Sequence, residues 1–200
     1  MATLSSPLRI GILALQGSVA EHGRTLSRLG ITPVEVRLPE HLRGIHGMII
    51  PGGESTTIGK LMVKAGLAEP LRTRLEGGMP AYGTCAGMIL LARRVTESPS
   101  THALGLMDIR VRRNAYGTQA ESFEADVRVS ELDETPLRAI FIRAPVVEEV
   151  GPGVEVLAAL ADGTPVLVRE STMLASAFHP ELGGDSRVHQ LFAELCRRST

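Results

Sequence analysis

Cys85 stands in Gly83-Thr84-Cys85-Ala86-Gly87, between a short apolar run that ends at Tyr82 and residues 88–92, which read as the start of a helix. The spacing Gly-x-Cys-x-Gly is the cysteine form of the nucleophile elbow, a sharp strand-to-helix turn that presents a reactive side chain. Residues without a β-carbon relieve the crowding of so tight a turn. A helix that begins just after Cys85 points free N–H groups and its positive dipole end at the sulfur, which favours thiolate over thiol. Taken alone, the pentapeptide fits a buried, unreactive cysteine equally well.

A cysteine nucleophile needs a base, and the base needs a group to orient it. Of six histidines, His22 and His189 fall in helical segments and read as surface or packing residues. His41, His46 and His102 sit in polar loops with no acid at useful spacing. His179 differs, because it ends an apolar strand and opens His179-Pro180-Glu181. Proline at 180 disfavours helical geometry at His179. In an extended tripeptide residues two apart face the same side, so Glu181 could fix the imidazole tautomer and leave the other nitrogen for Cys85. An isolated His-Pro-Glu is more simply a surface turn with an ion pair. Its place after a buried strand, in a chain with an elbow cysteine, favours the catalytic pair.

Pro51-Gly52-Gly53-Glu54-Ser55 interrupts a third strand. It can be a loop-to-helix cap with Ser55 as N-cap. Alternatively, glycines at a strand's carboxyl end leave backbone N–H groups free, and the Gly53 N–H with that of Ala86 would form an oxyanion hole. A phosphate-binding loop fits poorly, because Gly59-Lys60 is followed by Leu61 rather than Ser or Thr.

The elements that must position these residues follow from the hydrophobic pattern. Residues 8–15 read as a buried strand. Ser18 to Glu21 has capping-box spacing, and Val19, Leu26 and Leu29 give the next helix an apolar face that stops at Gly30. Strands at 32–36 and 48–50 follow, then helices from Ser55 to about Gly66 and over 70–75, and the strand before Cys85. Buried strands alternating with helices predict an α/β domain with a mostly parallel central sheet. The loops Gln16-Gly17, 51–54 and 83–85 then meet at one edge, outside the strands' carboxyl ends. The second half predicts additional antiparallel strands at 108–112, 123–129, 139–142, 154–157, 166–168 and 173–178, with Asp162-Gly163 a hairpin turn. A final helix starts near Asp185. One domain over residues 1–200 is expected, with 1–7 a flexible tail and 98–101 a flexible loop.

Composition excludes several classes. The 200 residues are 44% hydrophobic and 22% charged with net charge -1, so there is no electrostatic case for nucleic acid or an anionic membrane. No apolar run approaches membrane-spanning length, and no signal peptide is evident. Two cysteines, Cys85 and Cys196, argue against a disulfide framework and suit a reducing cytoplasm. Cys196 has no turn or glycine context and reads as a bystander.

Gly83-Thr84-Cys85-Ala86-Gly87, Pro51-Gly52-Gly53-Glu54-Ser55 and His179-Pro180-Glu181 together resemble class I, triad-type glutamine amidotransferases. Further stretches narrow the resemblance to the glutaminase subunits of pyridoxal 5′-phosphate synthases, over residues 8–195. They are Ala14-Leu15-Gln16-Gly17-Ser18-Val19-Ala20-Glu21-His22, Arg113-Asn114-Ala115-Tyr116-Gly117, Ser122-Phe123-Glu124-Ala125-Asp126, Phe141-Ile142-Arg143-Ala144-Pro145 and Phe178-His179-Pro180-Glu181-Leu182. The resemblance implies a glutaminase in which Cys85 is nucleophile, His179 general base and then acid, and Glu181 the orienter. It implies that Gly53, Glu54, Ser55, Arg113, Ile142 and Arg143 contact L-glutamine, with no metal and no cofactor. It also implies a synthase partner in a large hetero-oligomer, which uses the ammonia to build pyridoxal 5′-phosphate from ribose 5-phosphate and glyceraldehyde 3-phosphate. The alternatives are a glutaminase subunit of another pathway, or a non-catalytic redox-sensing domain on the same scaffold.

Overall fold

The computed structural model describes residues 7–96, 102–113 and 122–199. The expected loop at 98–101, residues 1–6 of the expected tail and residues 114–117 of the Arg113 motif lie outside the described residues. The first half alternates as its apolar runs predict: β1 (Arg9–Leu13), α1 (Val19–Arg28), β2 (Thr32–Val36), β3 (Gly47–Ile50), α2 (Ser55–Lys64), α3 (Ala68–Glu76), β4 (Ala81–Thr84) and α4 (Ala86–Leu91), with a 3-10 turn at Pro39–Leu42. The second half adds β5 (Ala92–Thr96), β6 (Met107–Arg112), β7 (Ser122–Val127), β8 (Leu137–Ile142), β9 (Val146–Val150), β10 (Glu155–Ala159), β11 (Pro165–Glu170), β12 (Met173–Ser176) and α5 (Arg187–Arg198).

The central sheet has seven strands in the order β10-β11-β12-β4-β3-β1-β2. From β12 to β2 every pairing is parallel, and only β10 and β11 run against their neighbours. The strands are buried on both faces, with Ile10, Ile12, Met48, Ile49, Ile50 and Tyr82 essentially inaccessible, as parallel strands covered by helices require. A three-stranded sheet β5-β6-β9 and a ribbon β7-β8 complete the β structure among the described residues.

Two placements differ from the sequence expectation. The last strand, β12, is antiparallel to β11, as expected of the second half, but its other edge is parallel. It lies parallel beside β4, with Ser176 opposite Thr84. That pairing spans the chain, and local patterning carries no trace of it. Strands β5 and β9 were not anticipated. β5 follows α4 without a loop, so the apolar run of the helix masks it. β9 exposes Glu148, Glu149 and Val150 in succession and so lacks the alternation that marks a half-buried strand.

Alternation along β4 decides what each face receives. The Tyr82 ring points to the face covered by α5, meeting Phe192 and His189 at ring-centroid distances of 5.7 and 6.0 Å. His22 of α1 meets His189 at 5.2 Å, so α1 and α5 share that face. Gly83 points the other way, where a β-carbon would lie 2.6 Å from the Gly87 carbonyl carbon. Thr84 returns to the Tyr82 face. The elbow of the chain therefore has one wall against α4 and the other against two buried histidines.

Candidate active site

The parallel register brings the chemistry together. β12 ends at Ser176 beside Thr84, so His179 and Cys85 leave adjacent strand ends on the same side of the sheet. Ser176 also holds the elbow directly, because its carbonyl accepts the Cys85 N–H at 2.8 Å. Cys85 sits at φ 49° and ψ −102°, a left-handed conformation that a non-glycine residue adopts only under constraint. The constraint comes from its glycine neighbours: a β-carbon on Gly87 would run into the Ile50 carbonyl oxygen. The helix α4 packs that close to β3.

His179 is fixed at both ends. Its backbone N–H donates to the Ile140 carbonyl of β8 at 2.8 Å, and the preceding Phe178 packs edge-on against Phe141 at 5.8 Å. Its Nδ1 lies 2.8 Å from Glu181 Oε1. The pair forms in a turn, with the Leu182 N–H reaching the His179 carbonyl at 3.3 Å, and not in the extended tripeptide expected from Pro180. The turn places the carboxylate beneath the ring, which leaves Nε2 for the sulfur.

Glu181 is buried, and its charge is sustained by neighbours. Burial works against ionisation, but the hydrogen bond from His179, the neighbouring His22 ring, the charge of His179 and the Ser18 hydroxyl hold its pKa down at about 2. For His179 burial again opposes the charged form, and the Cys85 sulfur with the Glu181 carboxylate outweighs it, pushing the pKa up to about 10. The arrangement favours an imidazolium between the Cys85 sulfur and the Glu181 carboxylate.

These residues open onto a cleft of about 370 Å³. Cys85 and His179 form its floor, and Gly53, Glu54, Ser55, Ala86, Arg113, Ile142 and Arg143 all line it; Glu181 stands behind His179. Every residue expected at the site is thus brought to one place. The Gly52–Gly53 peptide is oriented through Gly52, whose N–H donates to Thr84 Oγ1 at 3.0 Å and whose carbonyl accepts from the Ser18 N–H at 3.2 Å. Because the peptide is trans, the Gly53 N–H faces away from Ser18. Neither that N–H nor the first helical N–H of α4, at Ala86, has a hydrogen-bond partner among the described residues. The Ile142 carbonyl lies 3.8 Å from Cys85 Sγ.

The charged residues divide their roles. Glu54, and not Ser55, caps α2: its carboxylate accepts from the N–H groups of Thr56 and Thr57, from the Thr57 hydroxyl and from Arg113. Burial disfavours the charge slightly, but these bonds hold the pKa at about 2, and they occupy the acceptor sites of both oxygens. Arg113 is committed to Glu54 at 3.0 Å and Thr56 at 3.1 Å. Arg143, held at φ 43° beyond the end of β8, is exposed at the cleft with no acidic partner among the described residues.

Sequence reasoning missed several residues. Gln16 accepts the Glu54 N–H on its Oε1 at 2.9 Å and also lines the cleft. Ser18 makes no capping bond to α1; its hydroxyl donates to Glu181 Oε1 at 2.7 Å instead. His22 and His189 are fully buried. The signal for His22 lay in the helix period, since it shares the inner stripe of α1 with Val19, Leu26 and Leu29.

Known proteins place this geometry. A protein of Herpetosiphon aurantiacus named pyridoxal 5′-phosphate synthase subunit PdxT is 53% identical over 190 residues, covering 94% of this chain and 100% of the relative. The protein of that name from Frankia alni is 53% identical over 197 residues, covering 98% of each chain. A crystal structure described as a glutamine amidotransferase superposes with a TM-score of 0.89 at 50% identity, covering 94% of this chain and 98% of that one. The model of the SNO glutamine amidotransferase family matches residues 12–198, from the first strand to the last turn of the final helix. The chain belongs to the SNO glutamine amidotransferase family.

Proposed function

We propose that this chain hydrolyses L-glutamine to L-glutamate and ammonia through a thioester on Cys85, as the glutaminase subunit of a pyridoxal 5′-phosphate synthase. The observation that carries the reading is the Cys85–His179–Glu181 constellation on the floor of a cleft where, among the described residues, the Gly53 and Ala86 N–H groups and the Arg143 guanidinium have no partner.

The Cys85 sulfur, its proton on His179, attacks the side-chain amide carbon. The carbonyl π electrons move onto oxygen, and the Gly53 and Ala86 N–H groups take that oxyanion; donors of this kind are worth about 10²–10³ in rate each. The tetrahedral intermediate collapses as His179 protonates the amide nitrogen, the C–N bond breaks and ammonia leaves. Water then gives a proton to His179 and attacks the thioester, and the C–S bond breaks to release glutamate. Arg143 suits the substrate α-carboxylate, since a guanidinium fork matches its two oxygens. Glu54 contributes negative charge near the substrate ammonium and rigidity to the loop, its acceptor sites being occupied.

The near full-length match to relatives named as synthase subunits supports a partner chain that consumes the ammonia. We read residues 1–200 as one glutaminase domain within a hetero-oligomer. A chain with only two cysteines, both buried, fits a cytoplasmic setting. The test is to combine the chain with the synthase subunit of the same source and follow glutamate release and glutamine-dependent pyridoxal 5′-phosphate formation, with mass spectrometry of Cys85 for the glutamyl thioester. A chain that releases no glutamate with the synthase present, or forms no adduct on Cys85, overturns the proposal.

A further inference from the structure

The stretch from Gln16 to His22 enters the site more fully than the proposed reaction uses. His22, on the inner face of α1, is 0% exposed and does not line the cleft. Its Nε2 lies 3.3 Å from Thr84 Oγ1 and 3.6 Å from Glu181 Oε1. Its Nδ1 lies 2.9 Å from His189 Nε2. Thr84 Oγ1 in turn accepts the Gly52 N–H at 3.0 Å. One buried ring therefore stands between the carboxylate that orients the base and the hydroxyl that holds the oxyanion loop. The cluster is no metal centre: among the described residues no group of three histidine, cysteine or acidic side chains is arranged to hold an ion.

Hydrogen-bond accounting selects a tautomer. In a buried neutral pair each ring has one N–H and one bare nitrogen. With its proton on Nδ1, His22 would donate to His189 Nε2 and turn a bare Nε2 toward the Glu181 carboxylate. His189 would then carry its own N–H on Nδ1, an atom that is buried without a partner. With its proton on Nε2, His22 donates toward Thr84 and Glu181 and accepts from His189 Nε2–H. The orphan nitrogen of His189 is then a bare acceptor rather than an unpaired donor. The second state removes a repulsion between lone pairs and a stranded N–H, each unfavourable in a dry interior.

We infer that His22 is a positioning residue, whose Nε2–H sets the Glu181 carboxylate and, through Thr84, the Gly52 amide, so that the general base and the oxyanion loop are aligned by one side chain. The inference rests on the proposed glutaminase reaction. Glu181 Oε1 already receives the Ser18 hydroxyl at 2.7 Å and His179 Nδ1 at 2.8 Å; His22 adds a third polar neighbour on the open flank of the same oxygen. The titratable groups around Glu181 are His179 on its own turn, His22 and, through His22, Glu21 on α1, His189 on α5 with Arg28 acting on it, and Tyr82 on β4. Loss of the His22 donor destabilises the carboxylate, so the acid limb of the rate profile moves to higher pH.

The experiment measures glutamate release by the complex with its synthase subunit across pH. For His22→Leu the expected result is a fall in kcat of about tenfold, from the loss of a buried hydrogen bond to Thr84 Oγ1 and of the 3.6 Å contact with the Glu181 carboxylate, with KM for glutamine within about twofold, because the cleft lining is untouched. The acid limb moves up. Thr84→Val lowers kcat through the oxyanion loop alone, and His22→Leu added to it costs less than it does in the wild type, because the two share that branch. His22→Gln, whose amide can put an N–H where Nε2 was, recovers more of kcat than His22→Asn, which reaches only the Nδ1 position; that comparison decides the matter if His22→Leu fails to fold. Wild-type kcat and acid limb in His22→Leu, additive losses, or equal kcat for Gln and Asn overturn the inference alone. A wild-type complex that releases no glutamate overturns the inference together with the reaction it rests on.

Discussion

Gly52→Ala isolates the geometry of the base from the stability of the fold. Gly52 does not occupy the left-handed region, so alanine can adopt its backbone conformation. What the new methyl meets is His179: it would fall inside the envelope of ring Cε1, 3.0 Å from Nδ1 and 3.5 Å from the Cys85 β-carbon. Carbon contacts relax at about 3.5–4.0 Å, so the ring must retreat by about 1 Å. It has nowhere free to go. Nδ1 is bonded to Glu181 at 2.8 Å, and the His179 N–H is bonded to Ile140 at 2.8 Å. The loop cannot yield easily either, since Gly52 is tied to Thr84 and Ser18. A misplacement of about 1 Å in a catalytic group lowers the rate by roughly 10²-fold, equivalent to about 2.7 kcal/mol. Overpacking of this size destabilises by about 1–3 kcal/mol, which leaves a domain of ordinary stability folded. The assay is kcat for glutamate release with saturating synthase subunit, beside urea denaturation. Gly23→Ala is the control, because its β-carbon would meet only Ile12 Cδ1 at 3.8 Å in a helix that alanine favours. A folded Gly52→Ala enzyme with kcat within threefold of wild type would refute the placement of His179 as the base.

Cys85→Ala abolishes glutamate release while the fold survives, since the sulfur meets only the His179 ring and, at 3.8 Å, the Ile142 carbonyl, and packs no core element; near wild-type turnover would remove Cys85 as nucleophile. Arg143→Ala raises KM for glutamine by about 10–100-fold with kcat within a few-fold, the range for a charged hydrogen-bonded pair, and an unchanged KM by steady-state kinetics would reassign the carboxylate. His189, its pKa depressed to about 3 chiefly by burial, stays neutral in the fold while the unfolded chain takes a proton below about 6.5. Stability is therefore lost as pH falls from 6.5 toward 3, by roughly 5 kcal/mol at most, and His189→Leu flattens that fall in denaturation curves at successive pH values; parallel wild-type and variant profiles would contradict it. Glu181, depressed to about 2, contributes stability that is full above about 4.5 and lost as pH drops from 4.5 toward 2, so Glu181→Gln is less sensitive than wild type in that lower window.

The elbow was legible because its glycines encode local sterics: Gly83 and Gly87 are where a β-carbon would strike the neighbouring backbone. The parallel strands were legible for a similarly local reason, their apolar runs being covered on both faces. What escaped was long-range or hidden by a stronger local signal. The Ser18-to-Glu21 spacing suggested a capping box, yet a buried carboxylate 163 residues away holds the Ser18 hydroxyl more strongly than a helix N–H would. Ser55 was the expected cap, but Glu54 offers two charged oxygens to the same amides. His22 and Thr84 each read as unremarkable in isolation. Their importance depends on β12 lying beside β4, which brings Glu181 over the face that both occupy.

A base held near pKa 10 is a poor proton acceptor at neutral pH, and the site resolves that difficulty through its own chemistry. Two groups raise the imidazole, the Cys85 sulfur and the Glu181 carboxylate, while burial opposes them. In the resting site they keep a proton on His179, ready for the departing nitrogen. In the proposed reaction, acylation then changes one of the two. Once the sulfur is bonded to the glutamyl carbon it carries no charge and accepts no hydrogen bond of comparable strength, so its contribution vanishes and burial remains. The imidazole that has just given its proton to ammonia thus falls toward neutral pKa, where it can take a proton from water. Glu181 has to stay charged through both steps, and its donors on α1, Ser18 and His22, come from outside the reacting groups and do not change when the thioester forms. On this reasoning the acid donors on α1 matter most for deacylation, when Cys85 no longer helps to hold the ring. A His22→Leu complex should therefore accumulate the Cys85 thioester at steady state to a greater fraction than wild type. Quenched-flow mass spectrometry measures that fraction directly, and a wild-type level of adduct would place the role of His22 before acylation instead.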